Sequence, residues 1–528
     1  MKMEEKKKLT EEKSVLLEKG RQKALRLIFG RTALIVVLFL IQFGLMFSAV
    51  EFFSRYITAF LGGYMAFALL IVLIIINKEG GPETKLTWAI ITLMLPVVGG
   101  LFYLFVEMQP GYGLLEKRLK GIYAQTEEYV KQDAAAREAL EQADQGTARL
   151  ADYVRKNGNF SVYQNTRVRY FPLGEDKFEE MLRQLKQAEK FIFMEYFILR
   201  EGYMWEKILE ILEEKARAGV EVRVMYDGTC ALFDLPYKYP EELRKKGIQC
   251  KMYAPIQPIL STHYNNRDHR KILVVDGRVG FTGGINISDE YINRVEKHGH
   301  WKDTAVMLEG DAVQGLTMMF LQMWNVNEKK VAYGKYLEKP KRDLQAAGFV
   351  LPYGDSPFDD ELIGEMVYMD ILNRAKEYVH IMTPYLIIDQ RMITALTFAA
   401  KRGVDVKIML PHIPDKKFAF ALAKSHYREL LQAGVKIYEY TPGFVHAKVF
   451  TSDDEKAVVG TINLDYRSLY LHFECAAFLY QVPEIGAIEE DFQETLGKCQ
   501  EIRLGDLKKE KVWMRIYGWL LKVFAPLM

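Results

Sequence analysis

The sequence predicts an α/β fold of two tandem αβ domains related by a pseudo-twofold axis, preceded by an N-terminal transmembrane helical region. Three observations carry this. First, His269-Arg270-Lys271-Ile272-Leu273-Val274-Val275-Asp276 recurs as His446-Ala447-Lys448-Val449-Phe450-Thr451-Ser452-Asp453; both read H-x-K-x-x-x-x-D. Gly283 and Asn286 follow the first copy at the offsets at which Gly460 and Asn463 follow the second. Five matched positions mark a duplicated active-site half rather than an accident of composition. Second, short apolar runs alternate with amphipathic ones, punctuated by glycine, in the stretch before each motif. Third, two uninterrupted apolar stretches near the N-terminus have the length of a bilayer crossing.

The chain has 528 residues and a net charge of +2. That length exceeds one ordinary core, and that charge is unlike a nucleic-acid binder. Cys230, Cys250, Cys475 and Cys499 form no C-x-x-C pair, which argues against zinc and a disulfide framework and for a reducing compartment.

Residues 1–32 are basic (Lys6-Lys7-Lys8, Lys19, Arg21, Lys23, Arg26, Arg31) and lack a cleavable leader pattern, so they read as a cytoplasmic segment facing anionic lipid. The membrane region covers 33–107. Residues 33–50 and 57–76 are expected spans; 86–106, with Pro96, Gly99 and Gly100, either spans or dips in and out. Two spans leave the remaining chain inside, three put it outside. Residues 108–150 are rich in Ala, Glu, Gln and Lys and read as an exposed helical linker.

The first αβ domain is placed at 151–340 and the second at 341–510. Strand Lys190–Met194, helix Trp205–Ala218, Gly219 and strand Val220–Tyr226 precede the first motif. Strand Tyr378–Met382, a helix to Arg402, Gly403 and strand Val404–Leu410 precede the second. This alternation implies parallel strands with helices on both faces. Residues 511–528 read as an amphipathic helix. Trp513, Ile516, Tyr517, Leu520 and Phe524 share a face suited to the membrane interface or to docking on the protein.

Along a strand, residues i and i+2 point the same way, so His269 and Lys271 are expected to project together, as are His446 and Lys448. Two such halves give two imidazoles, two ammonium groups and the amides of Asn286 and Asn463 around one phosphate. One imidazole can attack phosphorus while the other protonates the leaving alcohol. The lysines and asparagines stabilise the equatorial oxygens, supplying the charge that a metal otherwise would. No metal-ligand set and no cofactor motif is recognisable.

These motifs resemble the phospholipase D superfamily, and more closely the bacterial cardiolipin synthases. The resemblance covers nearly everything after about residue 86. It includes Trp88 through Pro96-Val97-Val98-Gly99 to Tyr103, Thr383-Pro384-Tyr385, Gly434-Val435-Lys436-Ile437-Tyr438, Asn463-Leu464-Asp465-Tyr466-Arg467-Ser468 and the apolar tail to Met528. It implies transfer of a phosphatidyl group from one phosphatidylglycerol to another through a phosphohistidine, giving cardiolipin and glycerol. His269 would be the nucleophile and His446 the general acid and then base, an order that the pseudo-symmetry leaves open. It further implies that Asp303 and Glu474 orient the histidines, and that Asp276 and Asp453 complete the catalytic signature in a structural capacity. Where the superfamily often has serine after the motif glycine, this chain has Gly284 and Thr461. Implied partners are phosphatidylglycerol, other anionic phospholipids and the plasma membrane of a bacterium, in a multi-pass arrangement with the catalytic domains on the cytoplasmic side. No nucleic acid is implied, and self-association into a homo-oligomer stays open. The competing readings are a hydrolytic phospholipase D that makes phosphatidic acid, a transferase using another donor, a nuclease and a membrane scaffold. His263, His298, His300, His380, His412, His426 and His472 read as core or surface residues.

Overall fold

The computed structural model describes residues 31–51, 57–108, 112–255, 265–328, 331–337, 344–359, 361–508 and 512–527. Nearly all of the basic segment 1–32, and His263, lie outside them. The chain forms two units, one of residues up to Leu114 and the other of Leu115–Pro255 with Asn265–Pro526.

The N-terminal unit is helical: α1 Arg31–Glu51, α2 Ile57–Asn77, α3 Pro82–Met94 and α4 Pro96–Met108. The expected spans 33–50 and 57–76 fall on α1 and α2. Each has 21 residues, about 30 Å at the rise of an α-helix. Among the described residues, however, no helix is long and apolar enough to cross a membrane. On α2, Met65, Leu69, Leu70, Leu73, Ile74 and Ile76 are exposed. The third apolar segment is two helices of 13 residues each. Each is about 20 Å long, short of a hydrocarbon core. Pro96 breaks the segment because it cannot continue the hydrogen-bond ladder. The freed Val98 N–H donates to Gln42 Oε1 of α1 at 3.2 Å, which explains a buried glutamine in an apolar helix. Trp88 packs its ring 5.7 Å from Phe102 and 5.5 Å from Tyr103. At Gly99 a Cβ would come 2.6 Å from the Ile91 carbonyl oxygen, so only glycine lets α4 fold back this tightly on α3.

The second unit holds two sheets of one design. In the first repeat the strands are β1 Thr166–Phe171, β2 Phe191–Tyr196, β3 Glu221–Asp227, β4 Gln249–Tyr253, β5 Lys271–Val275, β6 Val279–Gly283 and β7 Ala305–Gly310, ordered β1-β7-β6-β5-β2-β3-β4. In the second they are β8 Phe349–Asp355, β9 Tyr378–Met382, β10 Asp405–Pro411, β11 Lys436–Tyr440, β12 Val449–Ser452, β13 Lys456–Gly460, β14 Glu474–Tyr480 and β15 Cys499–Ile502, ordered β8-β14-β13-β12-β9-β10-β11-β15. Strand for strand the two orders match, with β15 added at one edge. The duplication expected from the twin motif is therefore architectural.

The sheets are mixed, which corrects the parallel expectation. Strands β2, β3 and β4 run parallel, as do β9, β10 and β11. The motif strand β5 is antiparallel to β2 and β6, and β12 to β9 and β13. The reason lies in two tight turns. Asp276-Gly277 (φ 56° and 64°) joins β5 to β6, and Asp453-Asp454 (φ 55° and 53°) joins β12 to β13. Two successive left-handed residues make the hairpin turn that twists with its strands.

The linker is not exposed throughout. In helices Ala134–Ala143 and Gln145–Gly158, Leu140, Ala148, Leu150, Ala151 and Val154 are buried in the second repeat's core with Phe349, Val367 and Ile371. Alanine-rich faces carry too little apolar contrast to mark a buried stripe. The C-terminal helix Val512–Phe524 docks through Gly518, where a Cβ would lie 2.9 Å from the Ala421 carbonyl. Its Val512, Trp513, Trp519 and Leu520 remain at least 60% exposed.

Candidate active site

His269 and His446 stand just before β5 and β12, and each is held by the other repeat. The His269 N–H donates to the Phe473 carbonyl at 2.9 Å, and the His446 N–H to the Lys302 carbonyl at 2.7 Å. The next residue along in each case is the carboxylate that meets the ring. Both Glu474 oxygens lie 2.9 Å from His269 Nδ1, and Asp303 Oδ2 lies 2.6 Å from His446 Nδ1. The contacts are reciprocal, as a twofold axis requires. With Nδ1 committed, Nε2 of each ring is the nitrogen left for chemistry.

The same exchange resolves the two positions after the motif glycines. Thr461 donates its hydroxyl to Glu474 Oε2 and accepts from the Cys475 N–H at 2.9 Å. At Gly284 the space that a side chain would fill is taken by the Asp303 carboxylate. Asp303 also accepts the Thr304 N–H at 2.8 Å.

Lys271 and Lys448 are almost wholly buried. Each ammonium turns back to donate to the carbonyl of its own motif histidine. This differs from side-by-side projection along one strand, because the regular strands begin at Lys271 and Val449 and the histidines precede them. Burial pulls the Lys271 ammonium down to about 8 and that of Lys448 to about 7. Burial also holds the His269 ring well below the usual histidine value, reinforced by Lys271, His472, Lys448 and His446. It lowers His446 to about 4, with Lys448 acting the same way and Asp303 against it. Glu474 is pushed up to about 8 by burial, opposed by Lys271 and Thr461. A buried site of this kind resists net charge. An entering phosphodiester anion changes the balance in favour of protonated lysine and imidazole.

The other sequence-predicted residues lie as follows. Asn286 accepts the Ile198 N–H at 2.9 Å and donates to the Tyr291 hydroxyl at 2.8 Å. Asn463 donates to Ser468 Oγ at 3.0 Å, and its buried Oδ1 has no protein partner among the described residues. Both amides therefore brace the walls of the site. Asp276 and Asp453 are not brought to the imidazoles. Asp276 accepts the N–H groups of Glu189, Lys190 and Phe191, and Asp453 those of Lys376, Glu377 and Tyr378. They bind the hairpin turns to the starts of β2 and β9, which agrees with the structural capacity expected of them within the signature.

Sequence reasoning missed three features. The first is the aromatic frame. Phe197 lies 4.8 Å from the His269 ring, and Trp301, Tyr291 and Phe444 lie 5.4, 5.5 and 5.8 Å from the His446 ring. The second is the Thr461–Glu474 bond. The third is His472, set aside as core or surface; its ring is 5.7 Å from that of His269. The available signal was its spacing, two residues before Glu474. Of the others, His380 pairs with Glu489 at 2.8 Å and His300 with the Tyr440 hydroxyl at 3.0 Å. His412 pairs with Glu439 at 3.0 Å, and His426 is buried.

Two αβ repeats that exchange carboxylates across a twofold, each presenting an imidazole and a buried lysine, define a phospholipase D-like protein of phosphoryl transfer. The family model described as cardiolipin synthase, PLD-like domain, matches residues 181–324 and 368–496. A second, the N-terminal region of the phospholipase D-nuclease group, matches residues 65–107. Cardiolipin synthase 2 of Bacillus anthracis is 34% identical over 87% of this chain and 90% of its own. Cardiolipin synthase of Alkalihalophilus pseudofirmus is 32% identical over 92% of this chain and 98% of its own. An uncharacterised protein of Streptococcus mutans is 52% identical over 87% of this chain and 99% of its own. The crystal structure of phosphatidylserine synthase from Haemophilus influenzae shares the fold, at TM-score 0.55 and 14% identity over 72% of this chain and 98% of that one. The chain belongs to the cardiolipin synthase family of the phospholipase D superfamily.

Proposed function

We propose that the chain is a phosphatidyltransferase that makes cardiolipin from two molecules of phosphatidylglycerol. The observation that carries this reading is the pair of ring nitrogens left uncommitted by crossed carboxylates, with two buried lysines beside them. His269 Nε2 attacks the donor's phosphorus, forming an N–P bond as the P–O bond to the headgroup glycerol breaks. The departing oxygen takes a proton from His446. A hydroxyl of the second phosphatidylglycerol then gives its proton to His446 and attacks the same phosphorus. The N–P bond breaks and His269 is regenerated.

The assignment of His269 as nucleophile is supported by electrostatic asymmetry. The strongest influences on His269 all oppose a proton, leaving its lone pair available. At His446 burial and Lys448 also oppose a proton, but Asp303 works against them, so the influences are unequal between the two rings. Lys271 and Lys448 neutralise the phosphate, and Asp303 and Glu474 fix the ring orientations. No cofactor is assigned. Vesicles of phosphatidylglycerol incubated with the protein are expected to yield cardiolipin and glycerol in equal amounts. Phosphatidic acid without cardiolipin would establish the hydrolytic reading instead.

The membrane arrangement belongs to the same proposal. Taken over their full sequence and not their described residues alone, the apolar stretches 33–50 and 57–76 cross a bacterial plasma membrane, the hairpin of α3 and α4 enters and returns on one side, and the helix Val512–Phe524 lies in the interface. Apolar exposure on α2, the short lengths of α3 and α4 and the exposed Trp513 and Trp519 support this. A cytoplasmic N-terminus with two crossings leaves the repeats cytoplasmic. Digestion of sealed right-side-out vesicles is expected to spare the repeats until detergent is added.

A further inference from the structure

We propose that His472, Arg467 and Lys416 form a second phosphate subsite, which holds the acceptor lipid's own phosphodiester while its hydroxyl attacks. This rests on the transferase reading above and names what separates transfer from hydrolysis.

The first ground is His472. It is only 9% exposed, and neither ring nitrogen has a hydrogen-bond partner among the described residues. A neutral imidazole carries one donor and one acceptor, and burying both unmade is costly unless a polar ligand completes them. The ring lies beside both Phe197 and His269, at 6.5 and 5.7 Å, so such a ligand would adjoin the reacting phosphorus.

The second ground is charge. Arg467, Lys271, Arg267 and Lys416 all impose positive potential on this ring. Arg267 is buried against Asp227 at 3.6 Å, and Lys271 serves the donor site. Arg467 and Lys416 stand at the exposed rim. The Arg467 carbonyl accepts the His472 N–H at 2.9 Å, which ties the two residues into one turn. Lys416 sits over the Tyr385 ring at 5.1 Å. His269, His472 and Glu474 also bring one potential metal-ligand atom each within 4.8 Å. Cations that disfavour a proton on His472 disfavour a dication there too, so the field selects an anion.

The chemistry requires such a place. In the product, three glycerol carbons separate the two phosphates, so an attacking phosphatidylglycerol brings its own phosphate close to the one being transferred. Water brings none.

The test uses the full-length chain, with phosphatidylglycerol vesicles, and the variants Arg467→Ala and His472→Asn. Glycerol release reports the first step, and the ratio of cardiolipin to phosphatidic acid reports the acceptor. Arg467→Ala is expected to release glycerol within a few-fold of the parent while the ratio falls at least tenfold; in His472→Asn, whose ring adjoins His269, only the ratio is read, and it is expected to fall as far. Millimolar inorganic phosphate is expected to leave the parent's ratio unchanged; a fall to the variants' value would assign the subsite to free phosphate. An unchanged ratio in both variants overturns the subsite. Stoichiometric zinc binding to the parent by calorimetry, abolished by His472→Asn, overturns it in favour of a metal. A parent that makes no cardiolipin overturns the transferase reading instead. Arg467 is exposed, so its substitution leaves the core intact and keeps the test valid should His472→Asn misfold.

Discussion

At the scale of single residues, each imidazole depends on a carboxylate that its own repeat does not supply. Glu474→Gln and Asp303→Asn keep the volume and replace the carboxyl group that fixes the ring tautomer. Each is expected to lower kcat by about a hundredfold or more, as when an orienting aspartate is neutralised, with little change in thermal unfolding. Equal activity in either variant would show that the rings need no such support. The lysines predict a pH dependence. Burial holds Lys271 at about 8 and Lys448 at about 7, and a phosphodiester anion binds best when both are protonated. Protonated lysine exists below these values and is lost above them, so kcat/KM should fall as pH rises from about 7 to about 9, chiefly through KM. A flat profile across that range would contradict the assigned lysine role.

At the scale of elements, the duplicated motif was legible because it joins two different jobs at a fixed spacing. The histidine and lysine serve the site; the aspartate seven residues after the histidine holds a hairpin in the left-handed conformation. Asp276→Ala removes the acceptor of three backbone N–H groups. It is expected to destabilise the fold by about 1 kcal/mol, the net worth of a hydrogen bond whose donors water can reach. Specific activity of the folded fraction should persist, which denaturation midpoints and activity together can check. What the sequence hid was direction. Glycine-punctuated αβ alternation reads as parallel, yet β6 and β13 run against β5 and β12 because Asp276-Gly277 and Asp453-Asp454 turn the chain at once. It hid packing as well: nothing about Gly284 as a letter says that a carboxylate occupies its side-chain space.

At the scale of the whole molecule, the repeats were legible as a duplication, whereas their exchange of groups was not, because nothing local to either motif names a partner 205 or 143 residues away. The crossed carboxylates bear on how the chain comes to be made. Residues are added from the N-terminus, so the first repeat emerges complete with His269 while Glu474 is still untranslated. Until the second repeat arrives, that histidine has nothing to aim it, and Asp303 has nothing to aim. A product truncated before Glu474 is therefore expected to be inert toward phosphatidylglycerol, with chemistry beginning only once both repeats are made.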